Sequence, residues 1–330
     1  MTREASVLLV AVLLATGSTA NDNPKTPDEA VKVLRDGLKI WAAAERAAVS
    51  YRCRMELFVS GTAKGKTVIE KTNSVCLVTR AGDKIAIQIE KYDSGKGGAP
   101  TTSEDKAVLN DDYMFAIRKN RPESPWTLTK FSRSNRETDF WQVVGGRRTA
   151  LHPLTADNIS ELLTDILNNP TFQISSVKTR PDGLVDVVCY VKTGDDKHPV
   201  THSGTLTLSP NHGYVIVGYD RVLTFTGGQY REQCTRVLSD PSEPLRCRSL
   251  KFTFTDVKTG EVRQRDQFDF TDVSAEPVPD DQFFLPAYGI PEPGDVDALP
   301  VPVYYTWKFW TGIGAVCFVL MLVFRRLARR

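Results

Sequence analysis

Chemistry in this chain would have to come from a small pool of side chains, including only four histidines. His198 and His202, in "HPVTHSG", share one face of an extended strand, and His212 follows in "SPNHGY". A metal site there would need a carboxylate, with Asp195 or Asp196 nearest to hand. The segment "GTLTLSPNHGYVIV" reads more simply as strand, turn, strand, with Asn211 and Gly213 forming the turn. "NDD" at Asn110–Asp112 and "GDD" at Gly194–Asp196 are acidic pairs, yet Asn and Asp between strands favour turns. No GxSxG, HExxH, Walker loop or GxGxxG is present. No catalytic residue, metal or cofactor is therefore expected. A hydrolase with dispersed residues would need His198, His202 and Asp195 or Asp196 gathered in one cleft.

The cysteines suit an exported chain. Cys317 lies in an apolar run, leaving Cys53, Cys76, Cys189, Cys234 and Cys247 outside it. Pairing Cys53 with Cys76 across consecutive strands also matches Tyr51 with Val78 and Met55 with Ser74. Cys234 and Cys247 would face each other across a tight "SDPS" turn at Ser239–Ser242. Two hairpin disulfides with Cys189 as a buried thiol are expected, other pairings of the five remaining open. The absence of CxxC argues against zinc and redox chemistry.

The ends of the chain say where such residues would work. Arg3, the apolar Ala5–Leu14 and "STA" before Asn21 predict a signal peptide over residues 1–20. Phe309–Phe324 holds no charge, and Tyr304, Tyr305, Trp307 and Trp310 form an aromatic belt at its start. A single transmembrane helix is predicted over 304–324, followed by a basic tail over 325–330 containing Arg325, Arg326, Arg329 and Arg330. The positive-inside bias places that tail in the cytoplasm and the body outside, in the periplasm of a bacterial envelope. With 42 Lys and Arg against 40 Asp and Glu, the chain carries no electrostatic footprint for nucleic acid.

The body, residues 21–274, reads as one α+β domain. "TPDEAVKVLRDGLKIWAAAERAA" opens with a Thr26–Glu29 capping box and Pro27 at the first helical position. Val31, Leu34, Leu38, Trp41 and Ala48 recur along one face, with Glu45 among the polar positions elsewhere. From Ser50 the period becomes two, as in "YRCRMELFV" and "KIAIQIEKY". Further strands are predicted near 67–79, 107–118, 126–132, 172–179, 184–193, 203–209, 213–225, 230–238, 245–257 and 262–272. Such alternation predicts an antiparallel sheet with one face covered and the other wet. "TADNISELLTDILNNP" supplies a second amphipathic helix, and Asn158–Ser160 within it fits the N-glycosylation pattern. Residues 275–303, with seven prolines and six acids, read as a closing segment and extended stalk. A sorting-tag reading of its "FFLPAYGIPEP" is disfavoured, because Pro291 lies too far from the end of the chain.

What remains is the apolar interior. Trp41, Met55, Ile87, Phe252, Phe254, Phe268 and Phe270 are the residues expected to line a cleft suited to an acyl chain, or to form ordinary core.

The opening helix followed by "SYRCRMELFVSG" and "KTVIEKTNSVCLVTR", then "GTLTLSPNHGYVIVGYDRV" and the closing "QRDQFDFTDVSAEPVPDDQFFLPAYG", resembles the LolA/LolB-like, or lipoprotein-carrier-like, superfamily. The "FFLPAYGIPEP" ending resembles secreted planctomycete-type proteins that carry a C-terminal membrane anchor. The resemblance implies a large curved antiparallel sheet, a half-barrel covered by amphipathic helices. It also implies a hydrophobic cavity for lipid or lipoprotein acyl chains. Relatives of this fold also act as envelope-stress sensors, so a structural or sensory interaction module with a solid core stands as the alternative.

Overall fold

The computed structural model describes residues 23–292, apart from 48, 64–65, 94–102, 156–162, 194–198, 241–242, 244 and 246. The signal segment, the transmembrane span and the basic tail lie outside the described residues. So do Asn158–Ser160, Asp195, Asp196 and His198. Among the described residues, no helix is long and apolar enough to cross a membrane. The contacts divide the chain after Ile290, and only Pro291 and Glu292 of the second unit are described.

Helix α1 (Pro27–Ala47) begins at the expected capping box. The Glu29 amide donates to Thr26 Oγ1, and the Thr26 amide donates to Glu29 Oε2, both at 3.3 Å. Ala30, Leu34, Leu38, Trp41 and Ala44 form its buried stripe. Trp41 Nε1 donates to Gly213 O at 3.0 Å, fixing the helix to a turn between two distant strands. Gly37 permits that approach, since a Cβ there would meet the Trp41 ring at 2.8 Å.

Strands β1 (Ser50–Ala63), β2 (Lys66–Ala81), β3 (Lys84–Asp93), β4 (Glu104–Leu109), β5 (Met114–Lys119) and β6 (Thr127–Ser132) form one antiparallel meander. Strands β7 (Gln173–Thr179), β8 (Val185–Thr193), β9 (Val200–Ser209), β10 (Val215–Phe225), β11 (Gly228–Leu238), β12 (Cys247–Asp256) and β13 (Val262–Ser274) form a second. Pairing of β1 with β13 fuses them into a single 13-stranded sheet, in the order β6-β5-β4-β3-β2-β1-β13-β12-β11-β10-β9-β8-β7. The sheet is open, and its two edges, β6 and β7, are consecutive in sequence. With strands about 4.8 Å apart, those edges are separated by roughly 60 Å measured along the sheet. The intervening chain must traverse one face, and it does so as short helices.

The expected strand near 107–118 is two strands. Asn110 makes the turn between them, with Oδ1 accepting from the Asp112 and Tyr113 amides at 2.9 and 2.8 Å. Its Nδ2 donates to Phe283 O at 2.8 Å. That bond ties down two 3₁₀ turns, Asp280–Phe283 and Leu285–Tyr288, which lie on the second face of the sheet. Phe283 and Leu285 are fully buried there against Ala86, Val108, Phe115 and Ile117, with Trp126, Leu128 and Tyr288 packed around them. The expectation of one covered and one wet face therefore needs amending at β3–β6, where the "FFLPAYGI" stretch caps the second face. Asn110→Ala should cost about 2 kcal/mol by leaving these buried groups unpaired. The urea midpoint measures this, and an unchanged midpoint would show that the apolar contacts alone hold the segment.

The cysteine pairing is corrected. Cys53 does lie opposite Cys76, with Tyr51 opposite Val78 and Met55 opposite Ser74. All five described cysteines nevertheless stand as thiols. Cys234 faces Phe252, and Cys247 faces Leu238. The reason is the connection, because β11 ends at Leu238 and β12 begins at Cys247, a longer loop than the tight Ser239–Ser242 turn. Burial pushes the Cys53 thiol well above its ordinary value and the Cys247 thiol up to about 12. Both are poor sources of the thiolate that disulfide exchange needs.

Candidate functional site

The chain between β6 and β7 carries α2 (Arg136–Val144), α3 (Arg148–Leu151) and α4 (Leu163–Leu167). Helix α2 has Glu137 and Asp139 in its first turn, where they complement the helix dipole. Phe140 and Val144, four residues apart, are buried, and Gly145 at φ 58° ends the helix. The helix lies against β4 and β5, α3 lies against β2, and α4 lies against α1. Two clefts flank α2.

The first, of about 300 Å³, has Leu38, Ile85, Leu109 and Trp141 among its apolar walls and Glu45, Arg80, His152 and Thr155 among its polar members. Glu45 is buried and accepts from the Leu154 amide at 2.5 Å, the Thr155 amide at 2.9 Å and Thr155 Oγ1 at 2.7 Å. Its other contact is His152 Nδ1 at 3.3 Å. Burial alone would raise the Glu45 pKa, but His152, Arg80 and Thr155 outweigh it and hold it below the ordinary value. Tyr51 OH donates to Ala150 O at 2.9 Å, and Arg80 Nη2 donates to Leu151 O. Together these groups pin residues 150–155 to α1, β1 and β2. Arg80 Nε is buried with no hydrogen-bond partner. All four carboxylate contacts go to residues 152–155, two of them backbone amides, which marks the arrangement as a clamp.

The second cleft, of about 450 Å³, lies on the other side of α2. Ile87 and Ile89 of β3, Ala107 of β4, Ala116 of β5, and Val143 and Val144 of α2 supply its apolar surface. Arg118, Lys130, Arg147 and Asp105 supply its charge. Arg118 Nε donates to Asp105 Oδ1 at 2.6 Å, and Lys130 pairs with Asp139 at 2.7 Å. Arg147 Nη1 donates to Val144 O at 3.2 Å, while its Nε is buried and has no hydrogen-bond partner. Lys106 also borders the cleft, but its ammonium lies 4.8 Å from the Tyr288 ring on the opposite face. Burial there lowers the Lys106 pKa to about 8.

Solved structures similar to this one include a DUF1329 family protein from Desulfovibrio piger, at 10% identity and TM-score 0.37, covering 77% of this chain and 98% of that one. A LolA superfamily protein from Nitrosomonas europaea is similar at 10% identity and TM-score 0.36, covering 76% and 97%. A domain assigned to outer membrane lipoprotein sorting, from Vibrio parahaemolyticus, is similar at 9% identity and TM-score 0.38, covering 77% and 99%. No family model matches the chain, and no curated protein matches it.

All seven residues nominated from the sequence face one interior. Trp41, Met55, Ile87, Phe252, Phe268 and Phe270 are buried in its core cluster, and Phe254 packs against that cluster half-buried. Phe254 continues outward as a stack, 4.7 Å from Tyr230, which is itself 5.1 Å from Phe225. Of the seven, Ile87 alone borders either of the two clefts beside α2 besides being core. Of the histidine constellation only His202 and His212 are described, since Asp195, Asp196 and His198 lie outside the described residues. His202 is buried and bonds Thr193 Oγ1 at 2.9 Å, while His212 bonds Ser209 Oγ at 2.8 Å in the turn. No group of metal-ligating side chains occurs among the described residues.

Arg118, Lys130, Arg147 and α2 itself were not singled out from the sequence. The signal was Phe140, Trp141 and Val144 at helical spacing behind Glu137 and Asp139. A run of only nine residues between a strand and a Gly-Gly pair gave it little weight.

Proposed function

We propose that this chain is a membrane-tethered, outward-facing domain that binds a hydrophobic ligand, a lipid or acyl chain, or a partner carrying one. The observation behind this is the cleft of about 450 Å³ beside α2, with its Ile and Val lining and a charged margin. Its size is that of a small-molecule site, and an apolar wall beside a charged margin suits an amphiphile. Binding would proceed by burial of apolar surface, at about 25 cal/mol per Å² removed from water, with no bond made or broken. The tether is the apolar 304–324 segment, which sets the body in the periplasm of a bacterial envelope.

Native mass spectrometry of the full chain, gently extracted from membranes, tests the proposal. A bound lipid mass that disappears on delipidation is the expected result. A chain that emerges without lipid and gains no thermal stability from added lipid would sink it. A second reading, a structural or sensory protein-interaction module, is favoured by the burial of six nominated residues in continuous core. That reading expects a protein crosslink and no response to lipid.

A further inference from the structure

We infer that the cleft beside α2 selects a single-chain amphiphile with a carboxylate headgroup, a free fatty acid, and that Arg147 is the residue that recognises its charge. The inference rests on the lipid-binding reading above and adds a headgroup to it. Four cations line the recess; the Lys106 ammonium turns away to Tyr288, which leaves Arg118, Lys130 and Arg147 at its edge. Two of the three at the edge are answered, since Arg118 is held by Asp105 and Lys130 by Asp139. Arg147 has no acidic partner among the described residues.

Its position explains why that matters. Arg147 closes the 3₁₀ turn Gly145–Arg147, directly after α2, and its Nη1 uses one orphan carbonyl of that helix, Val144 O. Its Nε, shielded from water with no acceptor, is a donor whose desolvation is uncompensated. A guanidinium offers planar paired donors that match a carboxylate, and an uncharged hydroxyl or amide headgroup would not neutralise it. Val143 and Val144 lie four and three residues before it, across Gly145 and Gly146, so the apolar and cationic surfaces meet at one turn of the chain. An acyl chain laid on Ile87, Ile89 and Val143 would bring its carboxylate to that turn. The recess suits one chain rather than a two-chain phospholipid, given its volume of about 450 Å³.

Titration calorimetry on the delipidated full chain, with laurate and its uncharged counterpart dodecanol, tests this. Laurate should bind at least about tenfold more tightly than dodecanol, the worth of one charge-assisted contact. R147Q should lose about that factor for laurate and far less for dodecanol, while R147K should recover part of the laurate affinity. Raising the salt should weaken laurate and spare dodecanol. Equal affinities for the two in the parent chain would overturn the headgroup inference and leave hydrophobic binding standing. Tight binding of lysophosphatidate with none of laurate would also overturn it. Binding of neither laurate nor dodecanol would remove the lipid-binding reading as well.

Discussion

Glu45→Ala should destabilise the fold by about 4 kcal/mol near neutral pH, among the largest losses any single substitution here would produce. The carboxylate is 3% exposed and receives two backbone amides and a hydroxyl. Removing it leaves the Leu154 and Thr155 amides without partners in a dry site, each costing about 1–3 kcal/mol. It also takes away the negative charge that faces Arg80, a guanidinium 7% exposed. Glu45→Gln keeps an acceptor and loses only the charge, so about half the effect is expected. The pH dependence has a definite sign. The folded Glu45 pKa lies below its ordinary 4.5, so the stabilisation is fully present above that value. It is lost as pH falls through the lower folded pKa. Urea midpoints of parent and Glu45→Ala should therefore converge in acid. A constant gap across that range would mean the carboxylate charge contributes nothing.

Glu45 also shows where the sequence stops being informative. The helical stripe of α1 is legible because its apolar residues repeat at 3.6; Glu45, four residues after Trp41 and seven after Leu38, falls on that stripe, but its charge alone assigns it to the polar positions. The loop at 150–155, over a hundred positions away, arrives on that side and buries it. Such a contact has no local signature. The strands were legible for the opposite reason, since a period of two is a local property, and the register of Cys53 against Cys76 followed from it. The register of β11 with β12 did not, because it depends on a loop length that turn residues mark only approximately. The second layer over β3–β6 was hidden by composition. Prolines in "FFLPAYGIP" exclude a strand, but they do not exclude 3₁₀ turns that insert Phe283 and Leu285 between them.

Asp266→Asn should behave in the opposite way and stabilise the protein at about pH 8. Asp266 occupies an interior slot of β13, opposite Leu57 of β1 and Phe252 of β12, and is fully buried. Its Oδ2 accepts from Gln264 Nε2 at 2.6 Å, while Oδ1 has no hydrogen-bond partner. Burial pushes its pKa from 3.8 up to about 6, with Gln264 opposing only weakly. Between those two values the folded chain holds a proton that the unfolded chain has released. Stability therefore falls as pH rises across that window, and the deficit is complete above it. A shift of this size corresponds to about 3 kcal/mol. Asparagine keeps the acceptor for Gln264 and removes the charge, though its amide inherits the unsatisfied position at about 1–2 kcal/mol. The net expectation is a gain of about 1–2 kcal/mol at about pH 8 that turns into a loss of about 1–2 kcal/mol by about pH 3, where the parent Asp266 is protonated when folded and mostly so when unfolded. Thermal midpoints at the two pH values decide it. A gain independent of pH would place the strain in packing around Phe252 instead. A loss at the higher pH would mean that the Asp266 charge has found a counter-charge in the interior, and that β13 carries an ion pair where its neighbours carry phenylalanine.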